Sequence, residues 1–157
     1  MIKESNQILC FTIENIRFAI SLACVDRVIR ALEVTPIPNA PLVILGVFDY
    51  HGSVVPVINM RHRLKMADQP VRINDVFILA DTSKRKLALV ADRADGIVNP
   101  SSNELIKASD IDSGFEAKGV LRRDDGIILI YDIEQFLSSQ EEFDFQAAID
   151  KHCKYEP

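Results

Sequence analysis

Two stretches of this chain are built to one plan, and that recurrence limits the folds open to it more than any other feature. Residues 41–64, PLVILGVFDYHGSVVPVINMRHRL, read as an apolar strand, a tight turn around His51-Gly52, a second apolar strand and a short basic helix opened by Asn59. Residues 119–137, GVLRRDDGIILIYDIEQFL, repeat it. Gly46 and Gly119 each precede the helix-capping residue, Asn59 or Asp132, by 13 positions, and Leu64 and Leu137 each follow it by 5. A further pair, ILCFTIENIRFAI at 8–20 and FILADTSKRKLAL at 77–89, matches at a constant offset of 69, close to the 73 of the closing units. The recurrence predicts, within one domain over 1–157, two similar lobes of two hairpins each, interleaved by the repeat, over about 7–66 and 75–138, with the polar stretch 67–74 as the boundary between them.

Local patterns fill in the plan. Alternation through Ile16, Phe18 and Ile20 after the Glu14-Asn15 turn predicts a hairpin over 7–21. From Leu22 to Leu32 the spacing changes, and Val25, Val28 and Ile29 stand at i, i+3 and i+4, the pattern of a helical turn. Pro36, Pro38 and Pro41 make 33–41 an extended connector. Gly52 supplies the positive φ that a short hairpin turn needs. Pro56 removes a ladder donor, which places its strand at an edge or at a bulge. Asp132 and Gln135 match a helix capping box, a device worth about 1 kcal/mol. Loops are expected at 99–103 and 109–114, and the tail 139–157 reads as a loosely packed helix whose apolar face carries Phe143, Ala147 and Ile149. Short antiparallel strands with frequent turns and no long crossover helices predict a mainly β chain of two small barrels.

Composition narrows the function. With 48% hydrophobic and 26% charged residues among 157, the chain has enough apolar material for a core. A net charge of −5 and a pI near 5.2 argue against nucleic acid or an anionic membrane as partner. Cys10, Cys24 and Cys153 have no paired or metal-ligand spacing and read as free thiols of a cytoplasmic protein. Neither a signal-type leader nor an apolar run long enough to cross a membrane is visible. Nucleophile-elbow, phosphate-loop, dinucleotide and zincin motifs are missing, and His51, His62 and His152 lack partners at metal-ligand spacing. The residues thus point to no enzyme, no cofactor and no metal. Arg61, Arg63 and Lys65 are the best candidates for a phosphate contact, although a solvated or partner-facing helix fits them better; His62 is expected in solvent.

The segment ILGVFDYHGSVVPVINMRHRL resembles the hallmark hairpin and strand of CheW-like domains. KLALVADRADGIV at 86–98 and KGVLRRDDGIILIYDIEQFL at 118–137 are similar to that family's later strand and closing unit. The resemblance covers about 7–138 in the family's order. It implies two SH3-like five-stranded barrels sharing an apolar seam, and a non-enzymatic chemotaxis adaptor. The implied partners are the regulatory domain of a CheA-type histidine kinase and the cytoplasmic helical tip of chemoreceptors. Helix-in-groove docking suits the receptor. The residues expected to meet partners are Val25, Arg27, Val28 and Ile29, the hairpin tip His51-Gly52, and Val98.

Two departures from the family pattern stand out. The family usually carries Glu where this chain has Arg27, and Arg where it has His51. A rim charge sets on-rate and partner choice, so these exchanges predict a divergent or accessory chemosensory system whose receptor or kinase carries compensating charges. Residue reading alone leaves two other classes open, a small-ligand or oligonucleotide-binding barrel and an unrecognised enzyme. Exposed strand edges also allow homo-oligomers.

Overall fold

The computed structural model describes residues 6–107 and 117–152, so the expected loop at 109–114 and Cys153 lie outside the described residues. The described residues form eleven strands and two α-helices. The strands are β1 (Ile8–Ile13), β2 (Ile16–Ser21), β3 (Val25–Arg30), β4 (Ile44–Tyr50), β5 (Ser53–Ile58), β6 (Val76–Asp81), β7 (Lys86–Ala91), β8 (Arg93–Val98), β9 (Leu105–Lys107), β10 (Gly119–Arg123) and β11 (Gly126–Ile130). The helices are α1 (Met60–Arg63) and α2 (Ser139–His152). Two sheets result, in the orders β8-β1-β2-β11-β10-β9 and β3-β6-β7-β5-β4. The second has the five strands expected of each lobe; the first gains a sixth through the three-residue β9.

The duplication is real, but the sheets do not divide the chain at 67–74. The leading hairpins are exchanged: β1 and β2 join the closing unit β10–β11 of the second copy, while β6 and β7 join β4–β5 of the first. Each exchange is sealed by a short parallel ladder, Phe18 with Leu129 and Ala19 with Ile130 in one sheet, Val57 with Ala88 and Ile58 with Leu89 in the other. The sheets are therefore built from interleaved segments, and 67–74 is an internal connection of the five-stranded sheet. The physical reason lies in the exchanged strands. β1 is buried along its whole length, and β6 and β7 nearly so, which is the signature of strands covered on both faces. In β1, Ile8 and Cys10 enter the inner cluster of the six-stranded sheet, while Leu9, Phe11 and Ile13 enter a seam shared by both sheets. In β6, Phe77 and Leu79 enter the inner cluster of the five-stranded sheet, while Ile78 and Ala80 enter the seam.

Three local expectations change. Residues 25–29 form an edge strand, not a helical turn. One extra residue, Asp26, is inserted between the pairs Val25–Ala80 and Arg27–Leu79. Such a bulge shifts the two-residue alternation by one, so Val25 and Val28 face the same side although three positions apart. The spacing that resembles a helix is that of a bulged strand, in keeping with its β-branched residues. Pro56 lies in an interior strand, between β4 and β7, but the parallel ladder to β7 begins only at Val57, so its missing N–H costs no bond there. Finally, α2 packs tightly and by a different face: Phe145 and Ala148 are buried and Ile149 is half-buried in the seam, while Phe143 is 68% exposed. Arg85 supports this docking, its guanidinium lying 4.8 Å from the centre of the Phe145 ring and its Nε donating to both Glu142 carboxylate oxygens at 2.7 and 2.9 Å.

The caps behave as the sequence predicts. Asn59 accepts from the His62 N–H at 3.1 Å, and Asp132 and Gln135 form the reciprocal capping box.

Candidate functional site

The residues singled out from the sequence lie on two edge strands and one hairpin tip. β3 closes one side of the five-stranded sheet and, among the described residues, pairs only with β6. On it, Val28 faces the seam side with its cross-strand partner Ile78 and is 38% exposed, and Val25 packs half-buried against the seam cluster. Ile29 faces the other way and packs against the inner cluster with Phe77, whereas Arg27 on that same side is exposed. Asp26, the bulged residue, is held by the Lys86 ammonium at 3.0 Å, which also reaches Asp81 at 2.8 Å. Partial burial pushes the Lys86 pKa down, but the bonds to Asp81 and Asp26 outweigh it, and the net shift is upward. The bulge is therefore pinned as a charged, ordered feature.

Val98 falls on β8, an edge strand of the six-stranded sheet. It pairs with Ile8 and packs half-buried against the inner cluster of that sheet. Its neighbour Ile97 pairs with the seam residue Leu9 and is 54% exposed. Ile97 is thus the counterpart of Val28, at the same offset of 69 that relates the leading hairpins. That offset was the signal that would have found it.

His51 and Gly52 form the β4–β5 tip with φ of 52° and 88°. Two successive positive values are the requirement of the tight hairpin turn, and histidine is among the side chains that tolerate the first of them. The exposed His51 ring lies edge-on to Tyr50, centroids 4.4 Å apart, and the aromatic contacts continue from Tyr50 through Phe48 to the buried Phe77. The tip is anchored to the barrel interior rather than free.

The basic cluster of α1 is spent inside the molecule. Arg61 is buried and ion-paired to Glu14 on the β1–β2 turn and to Asp92 at 3.5 Å, which also holds Arg72 at 3.1 Å. Arg63 pairs with Glu141 of α2. Neither is available for a phosphate; Lys65 and His62 remain exposed. Arg61 links the two sheets across the exchange, because Glu14 follows β1, Asp92 joins β7 to β8, and Arg61 follows β5.

A groove between the lobes is lined by Ser21, Cys24, Asp81, Lys118, Tyr131 and Glu134, among others. Burial pushes the Cys24 thiol up to about 11, and its Sγ donates to the Ser21 carbonyl at 3.1 Å, so it is an inert thiol at neutral pH. Among the described residues, no cluster of His, Cys, Asp or Glu is placed to hold a metal ion, and no helix is long and apolar enough to cross a membrane. What the candidate residues offer is two of the strand edges, an anchored hairpin tip and a groove between lobes.

The family model of the CheW-like domain matches residues 7–141. The chain belongs to the CheW-like domain family. Chemotaxis protein CheW of Rhizobium meliloti (strain 1021) is 27% identical over 138 residues, covering 86% of this chain and 89% of the relative. Chemotaxis protein CheW of Thermotoga maritima is 24% identical over 132 residues, covering 83% and 87%. The fold is similar to the crystal structure of the scaffolding protein TtCheW from Thermoanaerobacter tengcongensis, with a TM-score of 0.72, 19% identity, and 81% of this chain and 88% of that one covered. Two interleaved barrels joined through a seam are therefore the CheW-like architecture in this chain.

Proposed function

We propose that this CheW-like chain is a non-enzymatic, cytoplasmic adaptor of chemotaxis signalling that couples chemoreceptors to a CheA-type histidine kinase by docking. The observation that carries the reading is the family match over residues 7–141, on a fold whose exposed features are docking elements. Relatives named chemotaxis protein CheW and a structural neighbour named a scaffolding protein support it.

In this reading the receptor's helical tip lies along the seam-side faces of two edge strands, where Val28 and Ile97 are exposed, Val25 flanks Val28 on the same face, and Ile29 and Val98 support them from behind. Apolar anchors at helical spacing fit such a surface. The regulatory domain of the kinase meets the β3 edge with Arg27 and the tip His51-Gly52, where exchanged charges select the partner. The test is a binding assay with the immobilised regulatory domain of the CheA-type kinase and the cytoplasmic hairpin of a receptor from the same cell. Wild-type chain should retain both, and Val28→Lys with Ile97→Lys should lose the receptor while melting normally. Retention of neither partner by the wild type would remove the proposal.

A further inference from the structure

The arginines of this chain are unequally satisfied. Seven of the ten are ion-paired to carboxylates, including the largely exposed Arg93. Arg27, Arg30 and Arg122 have no carboxylate within ion-pair distance among the described residues, and two of these three stand on β3. Both are exposed, and they bracket Val28, itself partly exposed. Asp26, beside Arg27, is already neutralised by Lys86, and Glu33, the acid nearest Arg30 in sequence, makes no ion pair with it. Beyond the β6 side, the backbone of Val25–Arg30 faces no strand among the described residues.

An open ladder with two uncompensated cations is a selective edge. Pairing β3 with β3 of a second copy would bring arginines together, and like charges opposed across strands are destabilising. The edge therefore rejects itself, as natural sheets use charge to prevent edge-to-edge association. It does not reject a strand that brings anions. We propose that β3 admits an acidic extended segment of a partner protein, which adds as a further strand and sets carboxylates beside Arg27 and Arg30 and an apolar side chain beside Val28. Strand addition of this kind takes affinity from main-chain hydrogen bonds and specificity from alternate side chains. This rests on the adaptor reading only in taking a protein as the occupant.

The experiment uses the full chain, labelled with 15N, and two short probe peptides, one centred on Glu-Val-Val-Glu, which matches the spacing of Arg27, Val28 and Arg30, the other on Lys-Val-Val-Lys. The acidic peptide should shift the amides of residues 25–30, with binding that weakens as salt is added; the basic peptide should shift none. Arg27→Glu with Arg30→Glu, in a chain whose spectrum is otherwise unchanged, should weaken the acidic peptide about tenfold. Equal binding of both peptides, shifts confined to other strands, no binding of either, or indifference to the reversal would overturn the proposal. So would self-association of the wild type through β3 in sedimentation equilibrium. Acidic-peptide binding in a chain that retains neither kinase nor receptor would sink the adaptor reading and leave this one standing.

Discussion

Gly46 and Gly119 occupy the same place in the two copies, yet the structure assigns them different tolerances. After Gly46, β4 is crossed by the proline-rich connector: the Thr35 N–H donates to the Val47 carbonyl at 2.8 Å, and the Val47 N–H donates back at 2.9 Å. This exchange seats the Thr35 carbonyl directly over Gly46. A Cβ there would come within 2.6 Å of Val34 Cγ1 and closer still to the Thr35 oxygen. The side chain can turn away, but the carbonyl is held by its own bond, so the connector or the strand must move. Overpacking against a fixed neighbour costs about 3 kcal/mol, the upper part of its usual range. At Gly119 the nearest obstacle is the Ile106 carbonyl, 3.1 Å from the Cβ position, which a shift of a few tenths of an ångström relieves. Alanine also restricts the unfolded chain, a gain of about 0.4–1 kcal/mol, so Gly119→Ala should be near neutral. In urea, with a slope of about 2 kcal/mol per molar, Gly46→Ala should lower the midpoint by about 1.5 M and Gly119→Ala by almost nothing. Adding Val34→Ala to Gly46→Ala should recover only part of the loss, since the carbonyl remains. Equal midpoints for the two single variants would refute the claim that the connector is clamped onto β4.

Other expectations are simpler to read out. Phe145→Ala empties a fully buried site in the seam and should cost about 3 kcal/mol, appearing first as faster amide exchange throughout α2. Burial pushes the Glu141 pKa up, but the Ser138 N–H and the Arg63 guanidinium outweigh it and hold the group below its ordinary value of 4.5. A lowered folded pKa contributes stability that is complete above the unfolded value and is lost as pH falls below it. Docking of α2 should therefore weaken below about pH 4.5, and Glu141→Gln should flatten that limb of a melting-temperature profile. Arg61→Ala leaves Glu14 and Asp92 facing one another across the sheet exchange and should cost about 2 kcal/mol by urea unfolding, moderated by the Arg72 partner of Asp92. His51→Val puts a β-branched residue at a φ of 52° and should cost about 1–2 kcal/mol by the same measurement, whereas His51→Asn should be close to neutral.

What was legible in the sequence is what is encoded within a few residues. The hairpins at 8–21, 44–58, 76–91 and 119–130, the caps at Asn59 and Asp132 and the left-handed tip at His51-Gly52 all follow from alternation, a side-chain acceptor and a turn residue. Residues 25–29 misled because a bulge at Asp26 inserts one residue into a two-residue period, and the resulting spacing of three is also that of a helix. The face of α2 misled because Phe143 and Phe145 are equally apolar in sequence; only the position of Arg85 and of the seam selects Phe145. Within the candidate surface, Val98 and Ile97 are adjacent apolar residues on one strand, and which of them faces outward is a matter of register.

The sequence by itself determined that the chain is a duplicated, mainly β CheW-like domain with the lobes' building blocks in a known order, because repeats, turns and caps are local and survive reading in one dimension. Only the tertiary structure decided which closing unit each leading hairpin joins. The two acceptors are near copies, so pairing strength alone does not distinguish them. The exchange is settled by long-range terms, namely the parallel ladders, the two-sided burial of β1, β6 and β7, and the Arg61 link between sheets. The same arrangement leaves β3 and β8 among the edge strands and gives β3 its unpaired arginines, since a charge is free or neutralised only by what the rest of the fold brings beside it.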